Sequence, residues 1–122
     1  MTDVAESLVY GGIYLANLNP GRKQAPTEIS KTRPVLVMQS QALLESSHPS
    51  TLIFPLTTQL RDSNFLRFRV SAREDLKKDS DVVLDQMRAI DNQRFQSIQP
   101  LCILDLSTMN QIYQRFLDIL KP

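Results

Sequence analysis

Lys31-Thr32-Arg33-Pro34-Val35-Leu36-Val37 sets a charged lead directly against a continuous apolar run. Pro34 biases Arg33 toward extended backbone, and a proline at the first residue of a strand removes no ladder bond. The stretch therefore predicts a buried strand from Val35 to Gln39. Two other stretches have the same form. Thr51 to Leu56 is apolar and β-branched and closes on Thr57-Thr58, while Leu84-Asp85-Gln86-Met87-Arg88-Ala89-Ile90-Asp91 puts charges inside an apolar run. A charge so placed costs free energy unless it has a partner or a task, so the three together point to a site carried on β-strands.

Working outward, Val9 to Leu18 places Ile13, Leu15 and Leu18 around Tyr14 and ends in Asn19-Pro20-Gly21, a strand followed by strong turn chemistry. Residues 20 to 33 form a long polar loop of the kind that carries function within a small domain. Gln41 to Ser46 fits one helical turn. In Phe65 to Val70, Phe68 and Val70 alternate with Arg67 and Arg69, which predicts a buried face and a solvated row of arginines. Ser71 to Ser80 reads as a charged loop, and Val82 to Ile90 as one long strand or two short ones. A period of two there would give Gln86 and Arg88 one face with Leu84 and Ile90, and turn Asp85 the other way with Val83. Ser107 is predicted to cap a helix ending near Leu120, with Met109, Ile112, Tyr113, Phe116, Leu117 and Leu120 as its apolar stripe. Antiparallel strands closed by one helix make a mainly β member of the α+β class, a small barrel.

The chain has 122 residues and no Pro, Gly or Ser tract, so a single domain over residues 1–122 is expected. Fourteen Lys and Arg oppose thirteen Asp and Glu, and the net charge of +1 gives no overall bias toward a polyanion. Distribution is more informative: Arg22, Lys23, Lys31 and Arg33 gather in one connecting segment, and Arg61, Arg67, Arg69 and Arg73 in another. Met1 to Leu8 lacks a basic and an apolar targeting region and no 18-residue apolar run occurs, so a cytoplasmic protein with no membrane contact is expected. Cys102, among Leu101, Ile103 and Leu104, reads as a buried filler. One cysteine and one histidine leave no zinc cluster, and His48 lies in a serine-rich turn without a neighbouring carboxylate.

Glycine-rich phosphate loops and the G-x-S-x-G, H-E-x-x-H and C-x-x-C patterns are all missing, so any catalysis uses other groups. Spacing leaves Arg33 open to two readings: an ion pair with Glu28, or a guanidinium fork on phosphate oxygens that also stabilises developing negative charge. Thr57 and Thr58 suit strand packing as well as hydroxyl donation. Asp85, Gln86 and Arg88 fit either an ion pair with another strand or the reading of base edges in a single-stranded nucleic acid.

At these residues the sequence resembles the MazF/PemK family of toxin endoribonucleases from type II toxin–antitoxin modules. The resemblance runs from Gly12-Ile13-Tyr14-Leu15-Ala16-Asn17-Leu18-Asn19-Pro20 through Glu28, Lys31 and Arg33-Pro34-Val35-Leu36-Val37 to Thr57-Thr58 and Asp85-Gln86-Met87-Arg88-Ala89-Ile90-Asp91. It implies an SH3-like antiparallel barrel with a C-terminal helix, a homodimer with an RNA groove across it, and cleavage of single-stranded RNA with no metal or other cofactor. Arg33 and Thr57 match the catalytic arginine and threonine, which would hold and protonate phosphate oxygens while the 2′-hydroxyl attacks, leaving a 2′,3′-cyclic phosphate. Arg22, Lys23, Glu28, Lys31, Thr58, Asp85, Gln86 and Arg88 would bind RNA. A MazE-like antitoxin would lay an acidic, disordered segment over the basic loop, and DNA would be met only through that complex. Two departures stand out: the loop between Pro20 and Glu28 is longer than the family pattern, and Val83 stands where some members carry an arginine, which puts more of the burden on Arg33. The rival reading is a non-catalytic toxin resembling the gyrase-binding CcdB, or an SH3-like interaction module.

Overall fold

Among the described residues seven strands make a curled antiparallel sheet, and the strand expected over Val35 to Gln39 starts earlier and ends sooner, at Thr32–Val37, with Pro34 inside it. The computed structural model describes residues 4–18 and 32–122. Its strands are β1 (Gly12–Asn17), β2 (Thr32–Val37), β3 (Ser50–Thr57), β4 (Arg67–Val70), β5 (Ser80–Val83), β6 (Arg88–Asp91) and β7 (Cys102–Ile103). They are ordered β4-β5-β3-β2-β1-β7, and β6 also pairs with β3. Three α-helices accompany them among the described residues: α1 (Val4–Ser7), α2 (Gln41–Glu45) and α3 (Leu106–Leu120).

Both faces of the sheet are covered, which explains why β2 reads as an uninterrupted apolar run. Ile13, Leu36, Phe54, Leu56 and Val82 pack with Met109 and Ile112 of α3. Tyr14, Ala16, Val35, Val37, Ile53 and Ile90 pack on the other face with Leu8, Leu44 and the flank of α1. Cys102 is buried in the first of these clusters, where desolvation pushes its thiol up from the ordinary value.

The expected cap of α3 moves two residues upstream. Asp105, not Ser107, is the N-cap, its side chain accepting the Thr108 N–H at 2.7 Å. A carboxylate at that position also meets the positive end of the helix dipole. The apolar stripe is narrower than its spacing predicts: Met109 and Ile112 are buried and Phe116 meets Phe54 edge to face at 5.1 Å, but Tyr113 and Leu120 are exposed. Gly11 links the sheet to α3's base at φ +88°, where a Cβ would lie 3.1 Å from Met109.

β3 is the hub, and along its far edge the segment expected over Val82 to Ile90 as one long strand or two short ones forms two short ones, β5 and β6. β5 pairs along the end of β3 (Leu56↔Val82, Thr57↔Asp81) and β6 along its start (Ile53↔Arg88, Ser50↔Asp91). Between these two registers the chain gains three residues, which leave the sheet as a 3-10 turn, Leu84–Gln86. The backbone of β3 permits this. Leu52 directs its N–H and C=O toward β2's side, so Pro55 faces the opposite edge, where it has no N–H to leave unpaired. The shared face expected for Leu84, Gln86, Arg88 and Ile90 therefore does not form: Leu84 is buried, while Asp85 and Gln86 project into solvent.

Candidate functional site: a polar row across the sheet

Strand register brings together residues far apart in sequence. β2 and β3 pair as Val35↔Pro55, Leu36↔Phe54 and Val37↔Ile53, and the same register carried two residues on sets Arg33 opposite Thr57. Across β3, Thr57 pairs with Asp81, and Asp81 with Arg69 of β4. On the other side, Arg33 pairs with Ala16. Directly opposed residues share a face, so Arg33, Thr57, Asp81 and Arg69 form one polar row over four strands, spaced about 4.8 Å apart.

The members of this row differ in what holds them. Arg33 is exposed and has no ion pair or hydrogen bond among the described residues. Alternation puts it on the same face as buried Val35 and Val37. Thr57 is half-buried, and its Oγ1 accepts the Gln59 N–H at 3.1 Å. That bond fixes the hydroxyl as acceptor and leaves its O–H to donate elsewhere.

Asp81 is fully buried, and its carboxylate accepts from three donors: Arg69 Nε, the Arg61 N–H at 2.8 Å and Arg67 Nη1 at 3.2 Å. Burial alone would raise its pKa, but the hydrogen bonds from Arg69, Arg61 and Arg67 outweigh it and hold the carboxyl below the usual range. The Arg69 guanidinium, bonded to Asp81 and at 2.9 Å to Asp62, is correspondingly raised. Arg67 and Arg69 are thus not the freely solvated row that alternation predicts. Alternation reports which way a side chain points, and a buried carboxylate on the neighbouring strand claims both. Sequence reasoning passed over Asp81; its signal was an acid heading an apolar strand, Asp81-Val82-Val83, with two alternating arginines upstream.

Other expected site residues distribute unevenly. Arg88, exposed on β6, pairs with Ile53 and so lies on the same face as Thr57, four residues or about 13 Å along β3. Asp85 and Gln86 are exposed at the 3-10 turn that leaves the β3 edge. Thr58 turns the other way: with Leu15, Pro34 and Lys78 it lines a depression of about 270 Å³ on the face that carries α3. Arg22, Lys23, Glu28 and Lys31 lie outside the described residues. His48 is an exposed turn residue whose Nδ1 is 3.0 Å from the Ser50 carbonyl, and whose own carbonyl accepts from Asn92 Nδ2 at 2.7 Å.

Among the described residues no helix is long and apolar enough to cross a membrane. No curated protein sequence matches the chain. Solved structures do resemble it. The toxin MazF-mt6 of Mycobacterium tuberculosis superposes with a TM-score of 0.70 at 19% identity, covering 89% of this chain and 95% of its own. A MazE–MazF complex from Deinococcus radiodurans gives 0.68 at 15% identity, covering 92% of this chain and 93% of its own. An endoribonuclease in complex with its cognate antitoxin, from a mycobacterial species, gives 0.67 at 18% identity with 92% and 93% covered. At such identities these likenesses establish the fold, a mainly β half-barrel with a C-terminal helix. The sequence itself matches a family profile over residues 10–120, and the chain therefore belongs to the PemK-like, MazF-like toxins of type II toxin–antitoxin systems.

Proposed function

We propose that this toxin is a metal-independent endoribonuclease that cuts single-stranded RNA through its own 2′-hydroxyl. In this reading the 2′ oxygen bonds to phosphorus, the P–O5′ bond breaks, the 2′ proton passes to solvent and the 5′ oxygen takes one up, leaving a 2′,3′-cyclic phosphate and a 5′-hydroxyl. Arg33 grips the non-bridging oxygens with its planar fork, and Thr57 donates its hydroxyl to the same phosphate, both stabilising charge that grows in the transition state. Arg88, Asp85, Gln86 and Thr58 position the strand, aided by Arg22, Lys23, Glu28 and Lys31 of the basic loop. A symmetric homodimer forms the groove, and an antitoxin with an acidic disordered segment competes for it, all in the cytoplasm.

One observation carries this reading: the β2–β3 register, which ends at Val35↔Pro55 and when extended by two residues sets an arginine with no protein partner among the described residues opposite a threonine with a free O–H. A purely structural arginine at a strand mouth would be expected to find a carboxylate, as Arg69 does. The test is incubation of the purified chain with a long RNA in EDTA. Discrete fragments ending in cyclic phosphate support the proposal. Intact RNA beside active gyrase inhibition would instead favour the CcdB-like alternative.

A further inference from the structure

Past the Arg69 end of the polar row, the sheet edge opens into a cleft of about 550 Å³ that the sequence reading did not assign. Its walls are the segment joining β3 to β4, β4 itself and α3. Arg115 of α3 lies over the rings of Phe65 and Phe68, at 5.6 and 5.2 Å, and donates to the Arg67 carbonyl at 2.8 Å. Phe65 is nonetheless 55% exposed. Its ring is supported from one side by a guanidinium and stands open to solvent on the other. Arg61 is exposed too, and its side chain has no partner among the described residues; only its backbone N–H is engaged, by Asp81. Four arginines against Asp62 and Asp81 leave the lining two positive charges in excess.

We propose that this cleft is a subsite for the RNA strand flanking the cut, with a base stacked on the open face of Phe65 and a backbone phosphate on Arg61. This inference rests on the RNA-cleaving reading of the row. Three observations favour it. An exposed aromatic beside a free guanidinium is the pairing that single-stranded nucleic acids use, stack plus phosphate. Three of the cleft's four arginines are held before any ligand arrives, since Asp81 clamps Arg67 and Arg69 and two rings hold Arg115, so only Arg61 has its side chain left to order on binding. Finally, Arg69 belongs both to the cleft and to the row, two strands or about 10 Å from Thr57, so a strand seated at Thr57 continues into the cleft.

The test uses the full chain and a fluorescein-labelled 2′-O-methyl oligoribonucleotide of mixed sequence, which lacks the attacking hydroxyl and reports binding alone. Phe65→Ala should weaken affinity roughly 5- to 150-fold, the usual range for loss of one base stack, and Phe65→Tyr should restore most of it. Arg61→Gln should lower the slope of log affinity against log salt by about one. Because the Phe65 ring is exposed, melting temperatures should stay near wild type; if Phe65→Ala proves unstable, the Arg61→Gln slope decides alone. Wild-type affinity and salt slope in these variants would overturn the subsite, and so would Phe65-dependent binding of an oligoglutamate peptide with oligoribonucleotide binding untouched. The two proposals fail separately. Phe65-dependent binding without cleavage of any RNA removes the nuclease reading and keeps the cleft as a nucleic-acid site, whereas cleavage with Phe65→Ala indistinguishable from wild type in affinity removes the cleft and keeps the nuclease.

Discussion

Replacing Asp81 by Asn removes a negative charge on which two guanidiniums and one backbone N–H converge, while keeping the side chain's size. Breaking a buried pair by neutralising one partner costs about 3–5 kcal/mol when the charge left behind stays dry. Here the side chains of Arg69 and Arg67 are 39% and 17% exposed, so both recover some hydration. Asparagine also keeps one accepting oxygen. The cost should therefore fall to about 2–3 kcal/mol. For 122 residues at about 2.1 cal/mol/K each, the unfolding entropy is about 0.26 kcal/mol/K, so the melting temperature should drop by about 8–12 °C at neutral pH and fixed protein concentration. The pH dependence supplies an independent check. The folded carboxyl titrates below its unfolded value, so the native state binds fewer protons and stability rises with pH. Asp81's contribution is complete above the unfolded value of about 4 and is lost as pH falls through the lower folded value. In calorimetry the deficit of Asp81→Asn should thus shrink as the pH drops below about 4. A shift within about 2 °C at neutral pH, or a deficit equally large in strong acid, would refute the role of this carboxylate as the clamp of the β4 edge.

The remaining expectations concern chemistry and assembly. Arg33→Ala should lower cleavage by about 10² to 10³ with an unchanged melting temperature, and Arg33→Lys should recover RNA binding far better than turnover because the bidentate fork is lost; full turnover in the lysine variant would displace the active site from this row. Thr57→Val keeps the β-branched shape and removes the hydroxyl, so wild-type cleavage by that variant would assign Thr57 to packing alone. Asp105→Ala should cost about 0.5–2 kcal/mol in chemical denaturation while Ser107→Ala changes little, the reverse ranking placing the α3 cap at the serine. Light scattering at micromolar concentration should give twice the chain's mass, and a monomer would remove the composite RNA groove.

Much of the fold was legible because the signal was local. The apolar run Val35 to Val37 and the helical stripe around Met109 and Ile112 each depend on a few neighbouring residues, and both fall within the elements their patterns predict, β2 and α3. The misread parts depend on what lies across the sheet. Leu84 to Gln86 has the composition of a strand, and only Pro55, some thirty residues earlier, reveals that the opposing edge lacks an N–H there. Arg67 and Arg69 have the alternation of a wet face, yet Asp81 on the adjacent strand claims them. Arg33 and Thr57 were visible singly as a charge and a hydroxyl at strand ends. Their opposition needed the β2–β3 register, which the apolar pairs Leu36↔Phe54 and Val37↔Ile53 set from inside the core.

In the proposed reaction that dependence would tie the chemistry of the row to its stability. Thr57 is the last residue of β3, where strands fray, and the segment that follows turns at once through Gln59 and Arg61 toward β4. Gln59 is held at both ends of its bonding, its N–H by the Thr57 hydroxyl at 3.1 Å and its carbonyl by Arg67 Nη1 at 3.0 Å; Arg61's N–H is held by Asp81 at 2.8 Å. The buried carboxylate thereby fixes Arg67, Arg67 fixes Gln59, and Gln59 fixes the rotamer of Thr57. If Thr57 donates to the phosphate as proposed, Asp81 is a positioning residue for that hydroxyl. Under that proposal Asp81→Asn should lower kcat more than it raises KM even well below its melting temperature, since Arg33 is untouched while the donor's direction is lost. A variant that keeps full kcat at a temperature where it is entirely folded would break this chain of contacts at its first link.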